Sequence, residues 1–360
     1  MELEKTAQAL VAPGKGILAI DESFPSIKKR FDSIGIESTE ETRRAYRDLL
    51  ITAPGIGEHI SGMILFDETI RQATAAGVAF PRALEAAGII PGIKVDQGAT
   101  DMALHPGEKI TEGLDGLRER LMEYRGLGAR FAKWRAVITI GGGIPTLGCI
   151  EANAQALARY AALCQEGGLV PIVEPEVLMD ADNTLARCYE VTEATLRSVF
   201  SALYEQRVVL ERLILKTNMV IAGKQCPVQN SVTEVAEETL RCLRNSVPAA
   251  VAGIVFLSGG QKAEPATAHL SAMNQMGNLP WPLSFSYGRA LQEPALNTWS
   301  GKAANVALAQ KALYHRSKCN GLASRGQYKP EMEQLAASVN LPSPRFQTVQ
   351  MGVTGGDPNQ

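Results

Sequence analysis

Short apolar runs rich in β-branched residues recur along the chain, each closing on polar residues. They are Gly16–Ser23, Gly62–Glu68, Ile90–Asp96, Arg130–Ile138, Leu169–Leu178, Glu211–Met219, Val251–Gly259 and Trp281–Arg289. Their starts lie about 28–46 residues apart, the length that a strand, a loop, a helix and a return require. Most intervals carry helical periodicity. Ser38 with Glu41 three residues on forms a candidate capping box ahead of Tyr46, Leu49 and Leu50. Leu114–Tyr124, Glu151–Cys164, Leu185–Glu205, Thr233–Asn245 and Thr267–Met276 continue the pattern. Strands alternating with helices and apolar on both faces predict a parallel sheet closed into a (β/α)8 TIM barrel. The alternative is an open doubly wound sheet, which calls for G-x-G-x-x-G after the first strand. Gly14-Lys15-Gly16 stands before that strand instead.

The ends of the chain read differently. Leu3, Leu10 and Val11 share one side of a short amphipathic helix, expected on the barrel floor or its flank. Lys302–Arg316 reads as a further helix, whereas Val339–Gln360 holds Pro, Gly, Ser and Asn with little periodicity. The expected organisation is one barrel domain over residues 1–338, with an N-terminal helix and a flexible C-terminal tail over 339–360.

Charges interrupt the apolar strands, and buried parallel strands should carry few. Asp21 closes the first run, Lys94 and Asp96 sit at i, i+2 in the third, and Lys133 and Arg135 in the fourth. Glu174 and Glu176 do so in the fifth, and Lys216 lies in the sixth. Alternation points each pair to one face, and each member is read as lying toward the C-terminal end of its strand, where barrel active sites form. For any single residue, a buried ion pair or a loop position explains the charge equally well. Five strands charged at one end call for a ligand, because each unpaired buried ion costs several kcal/mol.

Lys216 ends the run Leu213-Ile214-Leu215-Lys216. Desolvation and a nearby cation such as Lys133 disfavour its ammonium form and favour a nucleophilic amine, as a Schiff base with a carbonyl substrate requires. Pairing of Lys216 with Glu174 or Glu176 is the simpler structural alternative. Glu174 and Glu176 suit the acid/base steps of carbinolamine dehydration, and Asp21 adds a third carboxylate. Ser258-Gly259-Gly260 follows Phe256-Leu257 and Ser286-Tyr287-Gly288-Arg289 follows Leu283, at the ends of the last two runs, the usual phosphate position of a barrel. Lys29, Arg30, Lys94 and Arg135 form a second cationic group. Two anion sites flanking a carbonyl suit a bisphosphorylated sugar.

Composition narrows the field. The chain has 360 residues, 45% of them hydrophobic, and net charge −2 from 36 Lys+Arg against 38 Asp+Glu, without long like-charge blocks. That balance gives no footprint for nucleic acid or for an anionic membrane surface. Cys149, Cys164, Cys188, Cys226, Cys242 and Cys319 are scattered singly and read as reduced thiols. His59, His105, His269 and His315 are isolated, so no H-E-x-x-H or Cys/His metal motif is present. A charged N-terminus and the lack of a long apolar run predict a cytoplasmic protein.

The segments APGKGILAIDES, GIKVDQG, FAKWRAVI, VPIVEPEVL, LILKTNM, FLSGGQ and SFSYGRALQ stand in an order and spacing that resemble class I fructose-1,6-bisphosphate aldolases, from about Gln8 to Gln327. The resemblance implies a (β/α)8 barrel, commonly a homotetramer. It implies an enzyme that cleaves fructose 1,6-bisphosphate reversibly to dihydroxyacetone phosphate and glyceraldehyde 3-phosphate, in glycolysis or gluconeogenesis, with neither metal nor cofactor. By that resemblance Lys216 is the Schiff-base lysine, Glu174 the acid/base of the imine steps, and Asp21 the carboxylate acting on the C4 hydroxyl. Lys133 stabilises charged intermediates, and Glu176 is bonded to the lysine cluster. Ser258, Gly259, Gly288 and Arg289 match a C1-phosphate site. Ser23, Ser26, Lys29, Arg30, Lys94 and Arg135 match positions near the C6-phosphate or the sugar hydroxyls.

Four features depart from the family pattern: Phe24-Pro25 after the D-E-S, Arg212 and Thr217 around the reactive lysine, Gln97 in the K-V-D-Q-G segment, and a C-terminus without tyrosine. The last predicts slow protonation of the enamine carbon. Competing readings are a Schiff-base lyase for another sugar phosphate, a binding protein that keeps the fold, and, more weakly, a metal-dependent aldolase.

Overall fold

The structure, a computed structural model, describes residues 2–337. Its strands are β1 (Gly16–Ala19), β2 (Ile60–Leu65), β3 (Ile90–Lys94), β4 (Gly98–Asp101), β5 (Lys109–Glu112), β6 (Phe131–Ile138), β7 (Val170–Val177), β8 (Ile214–Thr217), β9 (Gly253–Phe256) and β10 (Leu283–Tyr287). Seven of the eight runs predicted as strands contain one of them, and the run Gly62–Glu68 overlaps β2, which begins two residues earlier. All except β4 and β5 close into a parallel barrel in the order β1-β2-β3-β6-β7-β8-β9-β10, with β10 returning to pair with β1. Closure rules out the open-sheet alternative.

Each helix predicted between strands has a counterpart, with ends set by caps, whereas Phe24–Asp32 and Phe80–Ala86 form without having been predicted. Leu147–Glu166 starts four residues before the predicted Glu151 because the Thr146 hydroxyl accepts from the Cys149 N–H. Leu117–Gly126 starts later than Leu114 because Gly116, at φ 65°, turns the chain in first. The capping box ahead of Glu40–Ile51 is Thr39 with Thr42 and not Ser38 with Glu41. Glu41 instead ion-pairs with Arg44 at 2.8 Å. The helix predicted over Lys302–Arg316 forms as Val306–Ala323.

The interior of the barrel is layered along its axis. Ala7, Leu10 and Val11, from helix Glu2–Leu10 and the turn after it, cluster with Ile17, Phe131, Ile172, Ile214 and Val255, apart from the larger core outside the barrel. This places the N-terminal helix on the floor. Strands β2 and β9 make room for it with glycine, and β3 does so for Phe131 of the same floor. A Cβ at Gly62 would lie 2.7 Å from Leu10, one at Gly253 2.7 Å from Val11, and one at Gly92 2.2 Å from the Phe131 ring. With the floor filled by apolar side chains, inward-facing charges are confined to the opposite end.

Two features differ from the sequence reading. β4 and β5 form an antiparallel hairpin beside the end of β6, joined to it by the Thr111 hydroxyl donating to the Arg135 carbonyl at 2.8 Å. Its half-exposed, polar strands lack an apolar alternation, so the pattern gave no signal. Lys133 is the third of eight residues in β6, not near its C-terminal end. The stagger of a barrel brings it level with the last residue of β3, since Lys94 is its register partner. The tail predicted over 339–360, including the absent tyrosine, lies outside the described residues.

Candidate active site

At the open end of the barrel, four strands contribute to one chain of charges. Lys216 on β8 places its Nζ 3.0 Å from Glu174 Oε1 on β7. The other oxygen of Glu174 lies 3.3 Å from Lys133 Nζ on β6. Lys133 in turn lies 2.8 Å from Asp21 Oδ2, two residues beyond β1. Lys133, Glu174 and Lys216 are buried, each 4% exposed or less. Alternation from the apolar floor explains the convergence: Phe131 precedes Lys133, Ile172 precedes Glu174, and Ile214 precedes Lys216, each by two residues on the inner face.

Asp21 and Lys133 hold each other ionised. Burial alone would raise the Asp21 carboxyl, but the ammonium groups of Lys133 and Lys216 outweigh it and hold Asp21 at about 2. Burial would likewise lower Lys133, yet Asp21, Glu174 and Asp96 raise it well above the ordinary lysine range. Asp96 is fixed by the backbone: Oδ1 accepts from the Gly98 N–H and Oδ2 from the Arg135 N–H, both at 3.2 Å. It pairs with Lys94 at 2.7 Å and stands 4.0 Å from Lys133. Glu174 Oε2 meets Lys133 as an ion pair at 3.3 Å, without a well-aligned hydrogen bond. Glu176, expected among the lysines, instead accepts from Arg135 Nε, one level further out.

Around this group stand cations without the same enclosure. After β9, Gly259 and Gly260 both take positive φ, at 57° and 91°, a pair of turns that only glycine adopts readily. Ser258 before them is buried. After β10, Gly288 leads into helix Arg289–Trp299. Arg30 reaches the same place, its Nη2 3.6 Å from where a Gly288 Cβ would be. Of the second expected cationic group, Arg30 therefore stands beside the loop after β10. Ser23 and Ser26 face each other at 3.2 Å at the start of helix Phe24–Asp32, and Lys29 is exposed on that helix. Phe24, one of the departures, packs edge-to-face on Phe66 beyond β2 at 5.3 Å, with Arg43 over its ring at 4.7 Å. Pro25 occupies the first turn, where its missing N–H costs nothing.

Several residues escaped the sequence reading. Glu22 is the hub of a buried set, with Arg30 at 2.6 Å, Arg47 at 2.7 Å and the Gln292 amide donating at 2.7 Å. Arg47 lies on helix Glu40–Ile51, where nothing in the local pattern marks an arginine as buried. Lys224, beyond β8, reaches Gly260 from a loop without any motif. The grouping of His315, Cys319 and Glu333 belongs to helices Val306–Ala323 and Met332–Ala337, not to the strand ends.

The family model for class I fructose-bisphosphate aldolase matches residues 2–345. A probable fructose-bisphosphate aldolase class 1 of Xanthomonas campestris is 65% identical over 329 residues, covering 91% of this chain and 98% of its own. A fructose-bisphosphate aldolase of Dictyostelium discoideum is 51% identical over 94% of this chain and 96% of its own. The crystal structure of the Plasmodium falciparum fructose-bisphosphate aldolase, in complex with TRAP and a small-molecule inhibitor, superposes with a TM-score of 0.90. It is 52% identical and covers 91% of this chain and 95% of that one. A closed barrel with a lysine among carboxylates at its mouth and this similarity along nearly its whole length agree. The chain belongs to the class I fructose-bisphosphate aldolases, metal-independent lyases that cleave fructose 1,6-bisphosphate reversibly through a lysine Schiff base.

Proposed function

We propose that Lys216 is the amine that forms the imine, with Glu174, Lys133 and Asp21 serving successive proton transfers. The observation that carries this is the unbroken chain from Lys216 through Glu174 and Lys133 to Asp21, with no link longer than 3.3 Å. Lys216 Nζ attacks the C2 carbonyl of the open-chain sugar. Glu174, 3.0 Å from that nitrogen, takes a proton from Lys216 as it attacks and returns it to the carbinolamine hydroxyl, which leaves as water. The resulting iminium draws electrons from the C3–C4 bond. Asp21, ionised at neutral pH, takes the C4 hydroxyl proton as that bond breaks and the aldehyde departs. Lys133 faces both carboxylates and offsets the change in charge at each step. The enamine is then protonated at C3, and hydrolysis frees dihydroxyacetone phosphate and Lys216.

Ser258, Gly259, Gly288 and Arg289 hold the C1-phosphate. Ser23, Ser26, Lys29, Arg30, Lys94 and Arg135 serve the other phosphate and the hydroxyls, and Glu176 orients Arg135. The catalytic unit extends over residues 1–338, acts in the cytoplasm and assembles as a homotetramer, as in the family it resembles. Among the described residues no helix is long and apolar enough to cross a membrane.

Two variants separate the roles. Dihydroxyacetone phosphate has no C4 hydroxyl, so Asp21→Asn should form a borohydride-trappable imine with it at close to the parental yield, while cleaving the bisphosphate at least 100-fold more slowly. Glu174→Gln should slow both trapping and cleavage. Equal loss of trapping in the two variants would contradict the assignment.

A further inference from the structure

The loop after β8 is fastened to the loop after β7 by three backbone hydrogen bonds. The N–H groups of Gly223, Lys224 and Gln225 donate to the carbonyls of Asn183, Met179 and Ala181 at 2.8, 2.8 and 3.0 Å. Gly223 fixes this contact, since a Cβ there would lie 2.1 Å from the Ala181 carbonyl oxygen. The fastening carries the Lys224 side chain over the loop after β9. The Cβ position of Gly260 lies 2.3 Å from Lys224 Nζ and 3.2 Å from Arg289 Nη2. Two cations from different loops thus converge on one left-handed glycine. Lys224 has a single carboxylate partner, Asp180, in a solvent-exposed pair. Arg289 has no ion pair among the described residues.

Like charges brought together at a glycine turn, one of them with only an exposed counter-ion, describe a site arranged for an anion. We propose that Lys224 is a phosphate ligand of the substrate site, held by Asp180 when the site is empty and transferred to the C1-phosphate when substrate enters. The proposal rests on Ser258, Gly259 and Arg289 forming that phosphate site. An exposed lysine–aspartate pair is weak, whereas a phosphate carries nearly twice the charge of a carboxylate and accepts from Arg289 as well as Lys224. Lys224 would then join the loops after β7, β8 and β9 over the bound phosphate and tighten the hold on any substrate phosphorylated at C1.

Inhibition by inorganic phosphate, and KM and kcat for fructose 1,6-bisphosphate and fructose 1-phosphate, test this in Lys224→Gln, Lys224→Arg and Asp180→Asn. Lys224→Gln should weaken phosphate inhibition and raise both KM values by about three- to tenfold, with kcat retained. Lys224→Arg should restore most of the affinity, and Asp180→Asn should strengthen phosphate inhibition. Unchanged phosphate inhibition in Lys224→Gln, a KM effect confined to the bisphosphate, or Lys224→Arg as impaired as Lys224→Gln would each overturn the proposal. Imine trapping at Lys216 in the parent enzyme separates the two readings. If it succeeds while Lys224→Gln behaves as the parent, only the role of Lys224 falls; if it fails, the catalytic reading falls.

Discussion

Lys133 has carboxylates on three sides, Asp21 at 2.8 Å, Glu174 at 3.3 Å and Asp96 at 4.0 Å. Removing its charge leaves the burial of Asp21 opposed by Lys216 and Lys94 alone, so the Asp21 carboxyl must climb from about 2. In Lys133→Met the acid limb of the kcat/KM profile should therefore move upward by more than about one pH unit, in addition to a loss of rate at every pH. An acid limb that stays in place would show that Asp21 does not depend on Lys133. At this scale much was legible. Lys216, Glu174 and Asp21 announce themselves as charges in strands that should be apolar. Glu22 and Arg47 do not, because their meeting joins a strand end to a helix more than twenty positions away. Glu176 lies in the same strand as Glu174, yet one level further out Arg135 is the nearer cation. Alternation gives a face and not a partner.

Elements are held by close packing at the floor and by ion pairs at the C-terminal end of the described chain. The Gly92 Cβ position falls 2.2 Å from the Phe131 ring. Gly92→Ala should lower stability by about 3 kcal/mol, the upper end for overpacking. Phe131→Leu in the same chain should recover part of that loss, as read by thermal unfolding; no recovery would show that the floor does not limit the site. On helix Val306–Ala323, the Cys319 sulfur and the Glu333 carboxylate raise His315 to about 9. A group raised from 6.5 contributes its stability fully below that pH and loses it as the pH rises through about 9. His315→Gln should flatten the fall in stability between these values by about 1 kcal/mol, allowing for solvent screening. An unchanged slope would place the fall elsewhere. Strand positions were readable because runs buried on both faces are continuously apolar. The β4–β5 hairpin was not, because it is held by the Arg135 carbonyl and the side chain of Asn153, partners remote in sequence. The Thr39 cap likewise displaced the Ser38 prediction because Thr42 closes the reciprocal bond.

Over the whole molecule, a net charge of −2 averages two unlike regions. Lys94, Lys216 and Arg289 stand at the ends of β3, β8 and β10, with Lys133 and Arg135 within β6, while exposed pairs such as Arg118–Glu166 lie away from the mouth. The barrel, its apolar floor and the charged mouth follow from one alternation along the strands. If that alternation also places the reactive amine, borohydride reduction with dihydroxyacetone phosphate, followed by peptide mapping, tests it most directly. The account predicts one stable adduct per chain, on Lys216, formed equally well in the presence of a chelator. An adduct on another lysine, or none under conditions where the enzyme turns over, would contradict it.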